Sequence, residues 1–463
     1  MEFSIFDCVS PLDYRYYGDD PKMIELLGPH VTERAYILSE LEVEAAAVQV
    51  FARRKLCSEA VAEEVAQAIH LVTPEEVHEE DARIHHDTRA MVNCLQRHVS
   101  DEAKPFIHLA MTSFDVKDTA LALRLKRAAH DAVIPELIKL EKTLIDLARR
   151  EKDTLQMGRT HGQHAVPITF GFAIAQYVSR LGGRIEALRA AADNLRGKIS
   201  GAVGAYNASS LLFDDPLEFE QEVLGELGLE PSPSSTQIVE AEFATDYMHA
   251  LVSAFGVLAN LADDMRHLQR TEIAEVGEKF EANQVGSSTM PHKRNPWNFE
   301  NVKSLWKVVV ARMQTVYLDQ ISEHQRDLTN SASQRFLPEV IVMLVNSTRR
   351  LQRVMGKLVT DPERMAANFA MTHGMIAAEP AYILLAAHGH PDAHEALRKL
   401  TLQAQATGRP LGEILREEKD LAPYLEKFTP AQRALLDDPR LYVGRASQKT
   451  ELLCQKWEQA LGL

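Results

Sequence analysis

The sequence predicts an all-α fold of three helical domains, in which the long helices of the central domain form a bundle shared between subunits. Apolar residues recur in steps of three and four over long stretches, those stretches are almost free of internal proline, and strand signals are few. The 463 residues suffice for about three domains at the usual size. A small helical unit over 1–111, the long-helix centre over 112–360 and a small helical tail over 361–463 are expected.

Taken in order, a helical stretch from Val116 leads into the seam Val133, Leu137, Leu140, Leu144 and Leu147. Pro135 lies inside that seam and predicts a kink, because proline has no amide hydrogen and crowds the turn before it. Ile174, Val178, Leu181, Ile185, Leu188, Ala192 and Leu195 form the next seam, with Arg and Glu between its members. Residues 240–273 and 298–321 are further helical stretches. Helices this long cannot each lie across a compact globule, so an extended bundle is expected; shorter helices broken within these stretches are the alternative. Short strands are expected at most near 199–206. Turn-forming residues gather at 10–20, 229–235, 276–296 and 389–391.

Composition narrows the function. Apolar residues are 45% and charged residues 25%, the balance of a globular protein. Lys and Arg number 51 against 66 Asp and Glu, a formal charge of −15. So acidic a chain is no general nucleic-acid binder, and any cations for an anionic substrate must be gathered locally. Cys8, Cys57, Cys94 and Cys454 lie far apart with no C-x-x-C pair, so reduced thiols are expected. The opening MEFSIFDCVS lacks the basic and apolar regions of a signal peptide, and the apolar runs at 170–178 and 251–261 are broken by polar residues. A soluble cytoplasmic protein with no membrane partner is the expectation.

The segment Gly286-Ser287-Ser288-Thr289-Met290-Pro291-His292-Lys293-Arg294-Asn295-Pro296 is the most informative. Gly286 frees the backbone, two serines offer hydroxyls and Lys293 brings a cation within a few residues. Such a loop is either an anion cradle able to stabilise an ionised serine or an ordinary polar surface loop. His161 and His164 stand three apart, yet no third ligand at metal spacing and no H-E-x-x-H follow, so no metal is expected. No dinucleotide or Walker-type glycine loop is present, so no organic cofactor is expected either.

The same segment resembles the signature of the fumarase/aspartase superfamily. Thr112-Ser113-Phe114-Asp115, Thr160-His161-Gly162-Gln163 and Thr236-Gln237 resemble further blocks of that superfamily and occur in its order. Within it, four places resemble the adenylosuccinate lyases. These are the Arg15-Tyr16 pair after Ser10-Pro11-Leu12-Asp13-Tyr14, His85-His86-Asp87, Gly158 to Gln163, and Gln325 to Arg335. The last carries Arg326, Ser331 and Arg335 at that family's phosphate-binding spacing.

The resemblance implies a homotetramer whose sites each collect blocks from three chains. It implies β-elimination of fumarate from adenylosuccinate, and from the succinylated aminoimidazole carboxamide ribotide of purine synthesis. Ser287 would be the base and His161 the acid, on opposite faces of the substrate. Glu300 would orient the acid histidine and favour its protonated form. His86 would contact the phosphate or assist nearby. Lys293 and Asn295, with Thr112 and Ser113 at a helix N-terminus, would face the carboxylate that gains charge. Arg15, Tyr16, Asp87, Thr160, Gln237, Arg326, Ser331 and Arg335 complete the substrate contacts, arginine suiting phosphate through its planar fork. Ion pairing on a solvated helix face is the other reading of Arg326 and Arg335.

Departures from the resemblance are Gln325 where many relatives carry Glu, Asn330 where many carry His, Ile238-Val239-Glu240-Ala241 where some carry an Arg pair, and Gly389-His390-Pro391-Asp392 in place of an arginine-bearing turn. Another lyase of the superfamily, acting on argininosuccinate or a carboxymuconate, is the alternative function. A scaffold that kept the bundle and lost catalysis is a second, and intact Ser287, His161, Lys293 and Asn295 oppose it.

Overall fold

Helices account for 68% of the structure, a computed structural model that describes residues 4–279, 289–290, 292–372 and 374–463. The long ones are Ser113–Arg127, Ile134–Arg150, Phe170–Asp193, Ala241–Leu268, Trp297–Leu318 and Leu337–Gly356. Ile174, Val178, Leu181, Ile185, Leu188 and Ala192 have no accessible surface, so the predicted seam is the inward stripe of its helix.

The helix expected over 240–273 stops at Leu268. There Ala274 turns left-handed (φ 51°), and the Glu275 N–H donates to the Leu268 carbonyl at 3.0 Å. The helix expected over 298–321 stops at Leu318. The distortion expected at Pro135 takes the form of a π-helical segment, Ala128–Val133, in the turn before it. Residues 10–20, expected as turns, hold a π-helical segment, Leu12–Gly18.

No strand forms at 199–206. Its backbone donors go to carboxylates instead: Ile199 N–H to Glu220 at 2.7 Å, and Ser200 and Gly201 N–H to Asp115 at 3.0 Å each. The main sheet element is an antiparallel hairpin, Leu155–Thr160 with Gln163–Thr169, which the sequence reading missed. Arg196–Gly197 pairs in parallel with Glu230–Pro231, and Val276–Gly277 pairs with Val359–Thr360.

The chain folds into two compact units. The first is Met1–Ile138, Gly183–Leu258 and Ser304–Arg349; the second is Lys139–Gly182, Ala259–Lys303 and Arg350–Leu463. In the first, the Glu33–Arg53 helix packs on Ser113–Arg127, Glu59–Ala68 and Pro216–Glu226. Phe51, Phe219 and Phe213 stack there, with ring centres 5.4 and 4.6 Å apart.

In the second unit the Trp457 ring lies against Gly182, where a Cβ would stand 2.3 Å from it, so only glycine permits that contact. Leu385, Leu397, Leu400, Leu411, Ile414, Leu415 and Phe428 form a small core among the last helices. No helix among the described residues is long and apolar enough to cross a membrane.

Glu141, on the Ile134–Arg150 helix, has no accessible surface, and neither carboxyl oxygen has a partner among the described residues. Burial pushes its carboxyl up to about 9, so it is uncharged at neutral pH. The unfolded chain loses this proton near the ordinary glutamate value, so stability falls as pH rises from there toward 9. Glu141→Met keeps the volume and removes the titration, so it is expected to raise the Tm more at pH 8 than at pH 5. The pH-dependent gain is on the order of a few kcal/mol, each pKa unit being worth about 1.4 kcal/mol. Equal shifts in melts at the two pH values would refute it.

Candidate active site

In the first unit the N-terminal half of the Ser113–Arg127 helix meets Asp87 through Lys117 and Arg326 through Phe114. The Pro74–Ile84 helix ends on His85 in the left-handed region (φ 58°), and His86 then caps the Asp87–Arg97 helix, its Nδ1 accepting the Arg89 N–H at 3.2 Å. That bond keeps Nδ1 unprotonated, so the exposed Nε2 carries any hydrogen offered to a ligand.

Asp87 accepts from Lys117 Nζ at 2.5 Å, and Arg335 lies 3.8 Å from the same carboxylate. Burial raises the Asp87 carboxyl, but the bond and charge of Lys117 outweigh it and the group titrates below the usual carboxylate range. Asp115 takes the Thr112 N–H at 2.7 Å, one half of the capping box that opens the Ser113–Arg127 helix. Asp115 also binds the ammonium of Lys198, and both side chains are fully buried.

Arg326 has the most telling environment. Its guanidinium lies over the Phe114 ring at 4.1 Å and Nη1 donates to Asn330 Oδ1 at 2.8 Å. Nε and Nη2 are buried and have no acceptor among the described residues. The segment around it is a run of turns rather than a helix face, ordered by Asp327, which accepts from the N–H groups of Glu323 and Thr329 at 2.8 Å each. Asn330, one of the two departures in this block, is thus the acceptor that orients Arg326, and the Gln325 carbonyl accepts the Gln237 N–H at 3.4 Å.

Ser331 and Arg335 are exposed on the same segment. Arg15 and Tyr16 sit on the Leu12–Gly18 segment, where the Tyr16 carbonyl accepts from Asn346 at 3.1 Å. Arg15 is exposed, and no hydrogen bond or ion pair joins it to Arg326 or Arg335 among the described residues.

Two residues of this unit escaped the sequence reading. Lys117 is the partner of Asp87, and His108 is locked to buried Glu44, which accepts both its N–H and its ring nitrogen at 2.7 Å. Burial lowers the imidazole pKa, yet the bond and charge of Glu44 leave it raised, so His108 is a cation-forming group. Its place four residues before Thr112 was the available signal.

In the second unit, His161 and Gly162 form the two-residue turn of the hairpin, at φ 54° and 74°, with Thr160 paired to Gln163. Both turn residues adopt the left-handed region, and the imidazole stands exposed at the tip. The hairpin is anchored by fully buried Glu275, which pairs with Arg159 at 2.6 Å and accepts from Gln156 and Asn368 at 2.9 Å each. His164 titrates low through burial and the charge of Arg159.

Lys293 is exposed, its N–H donating to the Met290 carbonyl at 3.0 Å, and Asn295 follows at half exposure. Asn298 fastens the next helix, its N–H and side-chain amide donating to Glu278 at 3.2 and 2.6 Å. Glu300 is exposed in the first turn of the Trp297–Leu318 helix, and no hydrogen bond links it to His161 among the described residues. Ser287 lies outside the described residues. Among the described residues no group of three His, Cys, Asp or Glu is placed to hold a metal.

The chain was compared with known proteins. Residues 15–311 match the lyase family model, and residues 322–432 match that of the adenylosuccinate lyase C-terminal domain. Adenylosuccinate lyase of Pyrococcus abyssi is 36% identical over 449 residues, 96% of each chain. That of Archaeoglobus fulgidus is 34% identical, over 96% of this chain and 97% of the relative. Among solved structures, 3-carboxy-cis,cis-muconate lactonizing enzyme from Pseudomonas putida superposes with a TM-score of 0.82 at 25% identity, over 95% of this chain and 98% of that one. Fumarate lyase from Mesorhizobium sp. BNC1 gives 0.81 at 24%, over 94% and 98%. With both family models matched in order and full-length relatives at this identity, the chain belongs to the adenylosuccinate lyase family.

Proposed function

We propose that this protein cleaves adenylosuccinate to AMP and fumarate by β-elimination, and the succinylated aminoimidazole carboxamide ribotide by the same step. The observation that carries the reading is Arg326: a guanidinium stacked on Phe114, with two buried N–H groups lacking an acceptor among the described residues. An unpaired buried donor costs free energy unless a ligand satisfies it, and two on one planar fork match a phosphate. His86, Ser331 and Arg335 surround that phosphate, with Arg15, Tyr16, Asp87 and Gln237 on the rest of the substrate and Thr112 and Ser113, at a helix N-terminus, on the carboxylate that gains charge.

In the reaction itself, Ser287 removes the proton beside the carboxylate, while Lys293 and Asn295 stabilise the charge that builds there. His161 protonates the leaving amine, and its exposure at a hairpin tip suits an acid that meets its substrate and Glu300 in an assembly of chains. A cytoplasmic homotetramer divided at 1–111, 112–360 and 361–463 is part of the same proposal, as is the use of Thr160 beside His161. The high identity to adenylosuccinate lyases favours this substrate over argininosuccinate or a carboxymuconate.

Release of fumarate and AMP from adenylosuccinate by the purified chain tests the reading; turnover of argininosuccinate alone would overturn it. Arg326→Ala is expected to lower kcat/KM by about 10²-fold, the order of a charge-assisted bidentate contact, chiefly through KM. An unchanged KM would remove Arg326 from the phosphate site.

A further inference from the structure

The first turns of the Ser113–Arg127 helix carry Phe114, Lys117 and Asp118 on one face, by their spacing of three and four. Phe114 bears the Arg326 guanidinium, and Asp118 lies one turn further on. The Asp118 carboxylate accepts the Val239 N–H at 2.9 Å, two residues after Gln237, whose own N–H donates to the carbonyl preceding Arg326. One side chain thus joins the helix, the Gln237 segment and the surroundings of Arg326, although no step of the elimination uses it.

Its charged neighbours are Arg326 and Lys198, which favour the ionised form, and Asp115, which opposes it. Arg196 and Glu240 line the same small cavity, together with Asn330 and Gln334. Burial dominates and pushes the carboxyl up to about 6. Near neutral pH the group is therefore mostly ionised and close to the point where it accepts a proton.

We infer that Asp118 is a positioning residue of the anion site: its carboxylate is the counter-charge that holds Arg326 ready, and it takes a proton from solvent when a phosphate arrives on that arginine. The inference rests on Arg326 being the phosphate contact. Bringing a second anion to the same guanidinium raises the free energy of the ionised carboxylate, and protonation relieves it.

Calorimetric binding of AMP at pH 6.5, in two buffers of different ionisation enthalpy, gives the proton count. The full-length chain is compared with Asp118→Asn and Arg326→Ala. The amide oxygen of Asn still accepts the Val239 N–H, and Asp118→Ser serves the same comparison if that variant misfolds. Free AMP's protons are common to all, and a parallel titration with inorganic sulfate, which does not titrate at this pH, isolates Asp118 from the bound phosphate's own protons. The native chain is expected to take up about half a proton more per AMP than Asp118→Asn, the amount a one-unit rise in pKa gives at this pH.

Equal proton counts overturn the inference, and a fall in Tm without a change in count assigns Asp118 a structural role only. Failure of AMP to bind the native chain, or undiminished binding by Arg326→Ala, overturns the phosphate assignment of Arg326 and this inference with it.

Discussion

Replacing His161 by asparagine is expected to lower kcat by about 10²- to 10⁴-fold, the usual worth of a positioned general acid. Asparagine is chosen for the backbone. Residue 161 holds φ 54° beside Gly162 at φ 74°, and an Asn-Gly pair is among the best at occupying such a turn. The hairpin, paired from Leu155 to Thr169, therefore keeps its shape or gains stability, and the loss is chemical. Steady-state rates with adenylosuccinate, read beside the melting temperature of the variant, separate the two effects. A kcat within threefold of the native value at unchanged Tm would show that the proton reaches the amine by another route.

Asp115→Ala is expected to cost about 3–5 kcal/mol of stability, the scale for removing one member of a buried ion pair. The reason is visible in its contacts. The carboxylate neutralises fully buried Lys198 and accepts the N–H groups of Thr112 at 2.7 Å and of Ser200 and Gly201 at 3.0 Å. Removing it strands a charge and three donors together. Asp115→Ala combined with Lys198→Met, which removes the stranded charge, is expected to recover part of the loss. Urea unfolding of the single and double variants measures this, and a single-variant loss below about 1 kcal/mol would mean that water replaces the carboxylate.

The helices were legible because their signal is local. A seam of apolar residues reports which face of a segment is buried, and the seam from Ile174 to Ala192 is buried along its length. The hairpin at 155–169 was not, since LQMGRT and QHAVPIT do not alternate and His-Gly is a weak turn cue. Residues 199–206 misled for the converse reason. Their β-prone side chains are real, but distant carboxylates, Asp115 and Glu220, take the backbone donors a partner strand would have used.

By itself the sequence determined the all-α class and the family resemblance carried by Gly286 to Pro296 and Gln325 to Arg335, because each is written in residues close together along the chain. Tertiary structure alone decided that His161 stands at a left-handed turn, that Glu44 holds His108, and that Arg326 lies on Phe114 with two donors open. The last two depend on partners tens to hundreds of residues away, and the first on a hairpin whose anchor, Glu275, is as distant. Burial then sets their energetics, because removal from water makes an unpaired donor or charge costly, and no spacing along the chain reveals which groups lose their water.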